Sequence, residues 1–219
     1  MAVALTFDNL DDAASRELPE LLDLLDELGL RATYFVEAVN AERRPMALRE
    51  IAARGHEVGF HAWEHERWGE LEPDREAELV ERGMAAYESL GIRVEGFRPP
   101  GGGLTGQTLE LLADAGITWC SPAGEEAGVD EQTGIAVLPF RWPLVDATYL
   151  HPPMGGLLSA PDAERRLHSA LQSTPDPAVL ILHPFLAVDR EVRAAHARIL
   201  RRLAEGDVVT GGVAAAALR

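Results

Sequence analysis

An α/β barrel, closed or nearly closed, is the fold this sequence predicts. Two observations carry the expectation. Short β-branched or aromatic runs alternate with longer amphipathic stretches, the pattern of βα units around a parallel sheet. Roughly seven or eight such units follow one another without a Ser/Gly-rich linker or a break in composition, which favours a barrel over the alternative of an open, doubly wound sheet. Residues 1–219 therefore read as one domain.

The elements follow in order. Met1 to Phe7 is strand-like, and Leu18, Leu21, Leu22, Leu25 and Leu28 then recur at helical spacing, with Gly29 as the stop. Ala32 to Val36 reads as the second strand, Pro45 to Ala53 as a helix and Glu57 to His61 as the third strand. A long charged helix runs from Pro73 to Leu90 and is closed by Gly91. Later strands read as Val94–Phe97, Ile117–Cys120, Ala136–Phe140, Ala178–Leu182 and Val208–Thr210. Helices fall near Thr108–Ala115, Pro161–Gln172 and Arg190–Ala204, and the Ala-rich tail from Ala214 to Ala217 is helical.

Composition narrows the function. With 20 Lys+Arg against 36 Asp+Glu the net charge is −16, which opposes the extended positive face that nucleic acid or anionic lipid requires. No apolar run approaches the ~18 residues of a membrane span, and no basic, apolar leader precedes the first strand, so a cytoplasmic protein is expected. The single cysteine, Cys120, forms no intramolecular disulfide and no multi-thiolate zinc site, and reads as a small buried hydrophobe. Gly101-Gly102-Gly103 lacks the Gly-Lys-Ser/Thr ending of a phosphate loop.

In a barrel the residues at the C-terminal strand ends face the active site. Here those ends are Thr6-Phe7-Asp8-Asn9, Gly59-Phe60-His61-Ala62-Trp63-Glu64-His65, Phe97-Arg98-Pro99-Pro100-Gly101-Gly102 and Leu180-Ile181-Leu182-His183-Pro184. His61 and His65, four apart, are expected on one side of a helical turn, where two neutral imidazoles can hold one divalent metal. Ala62 stands where a zincin places its general base, so the base must come from elsewhere. Taken singly, each residue also has a plainer reading. Asp8 can cap the following segment, as can Asp11 or Asp12; Arg98 can be a buried ion-pair partner; and His183, among apolar neighbours, can be a core histidine. Trp63, Trp68 and Trp142 are a sugar-stacking wall or core, with Trp142 favouring the wall. His151, His168 and His196 read as loop or helix-surface residues.

Taken in order, these stretches resemble the polysaccharide deacetylase family, also called the NodB homology domain or carbohydrate esterase family 4. Arg31-Ala32-Thr33-Tyr34-Phe35-Val36 and Gly55-His56-Glu57-Val58-Gly59 are similar to stretches around that family's second and third strands. The resemblance covers nearly the whole chain and implies a distorted (β/α)7–8 barrel and a metal-dependent hydrolase that removes acetyl groups from N-acetylated sugars. It implies Asp8 as catalytic base, Arg98 as the partner of that base and His183 as catalytic acid. His61 and His65 match the metal-binding histidines, Asn9 the position of a metal-binding Asp, and Gly101 the backbone N–H that helps hold the oxyanion. Trp142 is the candidate sugar-stacking residue. The cofactor implied is one divalent ion, zinc first, with nickel, cobalt or iron also suited to an N/O site.

Two departures stand out. Asn9 replaces a carboxylate by a neutral amide, and restoring it by Asn9→Asp is expected to tighten metal binding. The Asp-x-x-Asp-Trp motif that positions the acid histidine is absent, and Phe140 to Asp146 occupies its expected place. The expected partner is an oligosaccharide or small-molecule substrate, with no nucleic acid and no membrane. A ring-opening hydrolase of a small cyclic amide and a non-catalytic carbohydrate-binding protein are the alternatives.

Overall fold

The computed structural model describes residues 2–219. The first half of the chain contains β1 (Ala2–Asp8), α1 (Asp12–Glu27), β2 (Thr33–Val36), α2 (Asn40–Arg43), α3 (Pro45–Ala53), β3 (Glu57–Phe60), α4 (Pro73–Ser89), β4 (Gly96–Phe97) and α5 (Thr108–Asp114). The second half contains β5 (Trp119–Cys120), β6 (Gly128–Val129), β7 (Ala136–Val137), α6 (Ala147–Leu150), α7 (Ala160–Ser173), β8 (Ala178–Leu182), α8 (Arg190–Leu203), β9 (Asp207–Val209) and α9 (Gly211–Ala216).

The sheet runs β6-β7-β5-β4-β3-β2-β1-β8, with β9 added against the start of β1. Every pairing is parallel except β6 with β7. The sheet curls into a distorted barrel whose two edges are not joined by a ladder. A single bridge from Val145 to Ile181 covers the free edge of β8. The strand expected over Ala136–Phe140 stops at Val137 and resumes only as a bridge between Ala123 and Phe140. Pro139 accounts for the break, since it has no N–H to give to a ladder.

Alternation along β1 sorts the core into two layers. Val3, Leu5 and Phe7 point outward and pack under Leu18, Leu22 and Leu25 of α1, whereas Ala4, Thr6 and Asp8 point into the barrel. Asp11 starts α1 by accepting from the Ala14 amide at 2.7 Å. The lower interior is filled by Phe35, Trp119, Leu138, Val179 and Ile181. Two glycines on the strands make room for the large rings. A Cβ on Gly96 would lie 2.3 Å from the Trp119 ring, and one on Gly59 would lie 2.6 Å from Phe35.

Parallel register then brings the strand ends to one rim. Phe7 pairs with Leu182, Val36 with Phe60, Phe60 with Phe97, and Phe97 with Cys120. The residues that follow these pairs, namely Asp8, Glu37, His61, Arg98, Ser121 and His183, therefore emerge at the same end of the barrel. Cys120, one residue short of the rim, is fully buried, and burial pushes its thiol up out of the reactive range.

Because Gly96 is roofed by the Trp119 ring, Gly96→Ala is expected to overpack the interior and destabilise the fold by about 1–3 kcal/mol, read as a lower urea midpoint at unchanged slope. Gly106→Ala, where an added Cβ meets nothing within 4 Å, is the control and should leave the midpoint close to wild type.

Candidate active site

Arg98, the first residue beyond β4, is 1% exposed. Its Nη1 donates to Asp8 Oδ1 at 2.6 Å and to Thr6 Oγ1 at 2.7 Å, and its Nη2 donates to Ser121 Oγ at 2.9 Å. The Thr6 hydroxyl donates onward to Leu180 O at 2.9 Å, which leaves its lone pairs for the guanidinium. The guanidinium carbon also stands 4.2 Å from the centre of the Phe35 ring. Burial lowers the Arg98 pKa from its ordinary value, and the Asp8 carboxylate acts against that shift. Asp8 is thus held in one orientation by a cation that three strands surround.

On the neighbouring strand, His183 follows β8 and is held by a different charge. Asp146 Oδ1 lies 2.6 Å from His183 Nδ1, and Asp146 Oδ2 accepts from the His183 backbone amide at 2.8 Å. Asp146 reaches this position because Val145 bridges to Ile181 and the Asp146 amide donates to Ile181 O at 3.2 Å. A second imidazole meets the same carboxylate, with His196 Nε2 at 2.9 Å from Oδ2 as a charge contact. Burial drives the His183 pKa down, but Asp146 outweighs it and the net shift is upward. Burial likewise opposes ionisation of Asp146, yet the two imidazoles hold its carboxyl well below the usual carboxylate range.

His61 and His65 meet with ring centres 5.0 Å apart. The sequence led us to expect a helical turn here; instead the chain makes a tight turn in which Ala62 and His65 adopt φ of 62° and 72°. This conformation is unfavourable for residues with a Cβ. It is maintained by Ala38 N and Val39 N, which donate to Ala62 O and Trp63 O at 2.9 and 3.1 Å. Asn9, at φ 70°, is the third non-glycine residue of this kind among the described residues, so all three cluster at the rim.

The chemistry of this pair suits a divalent ion. His61 Nδ1 lies 2.7 Å from Arg98 O; a carbonyl only accepts, so Nδ1 carries the proton and the Nε2 lone pair is free. Burial brings the His61 pKa down to about 4, against the pull of Asp8, which keeps the ring neutral near pH 7. Among the described residues no three His, Cys, Asp or Glu side chains gather into a metal site. Asn9, the position that the resemblance assigns to a third ligand, carries an amide in place of a carboxylate. Glu37, just beyond β2, accepts from Asn9 Nδ2 at 2.6 Å and is 8% exposed.

Gly101 sits in an exposed turn at φ 78°, and among the described residues its N–H has no protein acceptor. The loop is stitched down by Gly102, whose N–H donates to Pro99 O and whose carbonyl accepts from Ala123 N, both at 2.9 Å. Beneath it, buried Glu76 accepts from Trp68 Nε1 at 2.7 Å and Thr105 Oγ1 at 2.5 Å. Trp142 is 41% exposed and stands edge-on to Phe140 at 5.1 Å, while Phe140 lies 5.4 Å from the Arg98 guanidinium. Of the remaining tryptophans, Trp63 and Trp68 are buried core.

The structure therefore joins Asp8, Arg98, His61 and His183 at one rim, as the strand-end reading expected. It corrects the reading of His196, which is not a surface residue but 6% exposed and in contact with Asp146. Glu37, Thr6, Ser121 and the role of Asp146 were missed. Glu37 carried the same signal as Asp8, an acid directly after an apolar strand, and was overlooked because the second strand was not followed past Val36. Thr6 and Ser121 carry no signal without their guanidinium.

Asp146→Asn should leave burial as the dominant influence on His183 and lower its pKa, read as an earlier titration of the His183 Cε1 proton by NMR. The sign for stability follows. The raised His183 pKa contributes stability fully present below pH 6.5 and lost as the pH rises through the folded-state value. Asp146→Asn should remove that contribution, so the stability deficit of the variant is larger at pH 6 than at pH 9.

Comparison with known proteins identifies the family and the fold. The family profile for polysaccharide deacetylases matches residues 1–120. Chitin deacetylase 1 of Cryptococcus neoformans is 30% identical over 109 residues, 49% of this chain and 23% of that protein. The chain thus spans only part of the length of the curated relatives it matches. A structure from Mycobacterium smegmatis, assigned to the polysaccharide deacetylases, superposes with a TM-score of 0.86 at 27% identity, covering 100% of this chain and 90% of the other. Puue allantoinase superposes with a TM-score of 0.84 at 16% identity, covering 98% and 89%, and shares the fold. The chain belongs to the polysaccharide deacetylase family.

Proposed function

We propose that this chain is a metal-dependent amidohydrolase that removes the acetyl group from an N-acetylated sugar. One observation carries the proposal: a carboxylate beside a cation and an imidazole beside an anion stand at the ends of adjacent strands, β1 and β8, facing one rim. Such opposed surroundings suit one group to accept a proton and the other to give one. The naming of the chitin deacetylase relative agrees with a glycan substrate.

In this reading Asp8, oriented by Arg98, takes the proton of the attacking water at its free carboxylate oxygen. His183 carries its proton on Nε2 while Nδ1–H is held by Asp146, and it delivers the Nε2 proton to the departing sugar nitrogen. The free Gly101 N–H donates to the acyl oxygen as negative charge builds there, a contribution of about 3–4 kcal/mol for one such donor. Trp142 offers an exposed ring face on which a pyranose can stack. His61, His65 and Asn9 would hold a divalent ion, zinc first, which when bound supplies Lewis acidity toward water and acyl oxygen. The protein groups fix the direction of each proton transfer.

The test is release of acetate from N-acetylglucosamine oligomers, with small cyclic amides run in parallel. Asp8→Asn and His183→Gln are each expected to lower kcat by roughly 10²- to 10⁴-fold while leaving the circular dichroism spectrum unchanged. Turnover of a cyclic amide with no acetate release would replace this reading by ring opening. Wild type no faster than Asp8→Asn on either class would leave a carbohydrate-binding role. For the metal, protein purified without chelator should carry about one divalent ion per chain, and the double variant His61→Ala/His65→Ala should carry none. Equal metal content in the two proteins would remove the site.

A further inference from the structure

The replacement of a carboxylate by Asn9 leaves a question of charge, and its surroundings answer it. Glu37 is buried and, among the described residues, faces no cation within ion-pair distance. It is compensated by three N–H donors instead: Asn9 Nδ2 at 2.6 Å on one oxygen, and Leu10 N and Asn40 Nδ2, both at 3.0 Å, on the other. An ionised carboxylate only accepts, so the Asn9 amide must present its nitrogen to Glu37. Its Oδ1 is thereby turned away and has no hydrogen-bond partner among the described residues. The main chain at Asn9 is held by donation of its N–H to Phe35 O at 3.1 Å, and the left-handed φ is one that Asn tolerates better than most residues.

We propose that Glu37 is a positioning residue that orients and polarises the Asn9 amide, so that the Asn9–Glu37 pair stands in for the single carboxylate that the family resemblance implies beside the histidine pair. The inference rests on the metal-site reading above and deepens it. A hydrogen bond to an anion draws the amide N–H outward and concentrates negative charge on Oδ1. The ligand is formally neutral, but one full negative charge sits directly behind it. This changes the expectation for Asn9→Asp. That substitution puts two acceptors where a 2.6 Å donor–acceptor contact stood, and it loses a hydrogen bond while adding like-charge repulsion.

The experiment uses four chelator-treated proteins: wild type, Glu37→Gln, Asn9→Asp and Asn9→Asp/Glu37→Gln. Zinc affinity is measured by titration calorimetry and thermal unfolding is measured without metal. Glu37→Gln is expected to weaken zinc binding about 10- to 100-fold, the usual loss when the partner of a ligand is removed. Asn9→Asp is expected to lower the metal-free melting temperature. The double variant rebuilds the contact with its polarity reversed, the introduced amide now donating to the introduced carboxylate, and should recover both the melting temperature and zinc binding. It also covers the case in which a single variant fails to fold. Zinc bound equally by wild type and Glu37→Gln, or a double variant no better than the worse single one, overturns this inference alone. Wild type that takes up no zinc overturns the metal-site reading and this inference with it.

Discussion

The buried ion pair between Arg98 and Asp8 is the interaction around which the rest of this barrel is organised. A guanidinium taken out of water demands acceptors for its N–H groups, and leaving such a charge unpaired costs about 3–5 kcal/mol. Here the acceptors come from β1, through Asp8 and Thr6, and from the residue after β5, through Ser121. Phe35 of β2 supplies the ring face. The Arg98 carbonyl, pointing the other way, sets the tautomer of His61. One side chain and its backbone thus tie the proposed base to the imidazole pair, and the register of four strands to both.

Placing a second charge pair beside the first keeps the two from merging. Asp146 is the anion for His183, yet it arrives not from a regular strand but from the segment that covers the open edge of β8. The incomplete closure of the barrel is therefore part of the site: a fully laddered edge would leave no room for that segment. His196, from α8, approaches the same carboxylate as a charge contact, so Asp146 has the His183 imidazole and backbone amide as its hydrogen-bond partners and no permanent cation beside it. Such an arrangement lets His183 carry its proton while remaining buried.

The three left-handed residues, Asn9, Ala62 and His65, show how the remaining groups are aimed. Strand direction alone would send the residues after β1 and β3 away from the rim. A positive φ folds each loop back, and the cost is offset by hydrogen bonds to the 37–39 segment and by the Glu37 contact. Strain and the proposed metal site are located in the same few residues.

By itself the sequence determined the βα alternation, the bounds of α3, α4, α5, α7 and α8 to within a residue, and the strand ends that bear chemistry, because these depend on local periodicity and on which polar residues interrupt apolar runs; the short α2 and α6 and the start of α1 were not legible in this way. Pro45–Ala53 and Ala178–Leu182 were legible to the residue. Asp8, His61, Arg98 and His183 were legible because parallel strands discharge their last residues on one side. Only the tertiary structure decided what each of these groups faces. Glu37 follows an apolar strand and Asp146 lies in the segment that takes the place of the missing motif, yet nothing local tells which group either one faces, and nothing local to His196 distinguishes it from the other histidines of the chain. Their importance arises from contacts that span 28 residues for Glu37 with Asn9 and 37 for Asp146 with His183. Electrostatic pairing acts through space across a low-dielectric interior, where sequence separation has no bearing on the energy, and so the partners of a site emerge only once the barrel has curled.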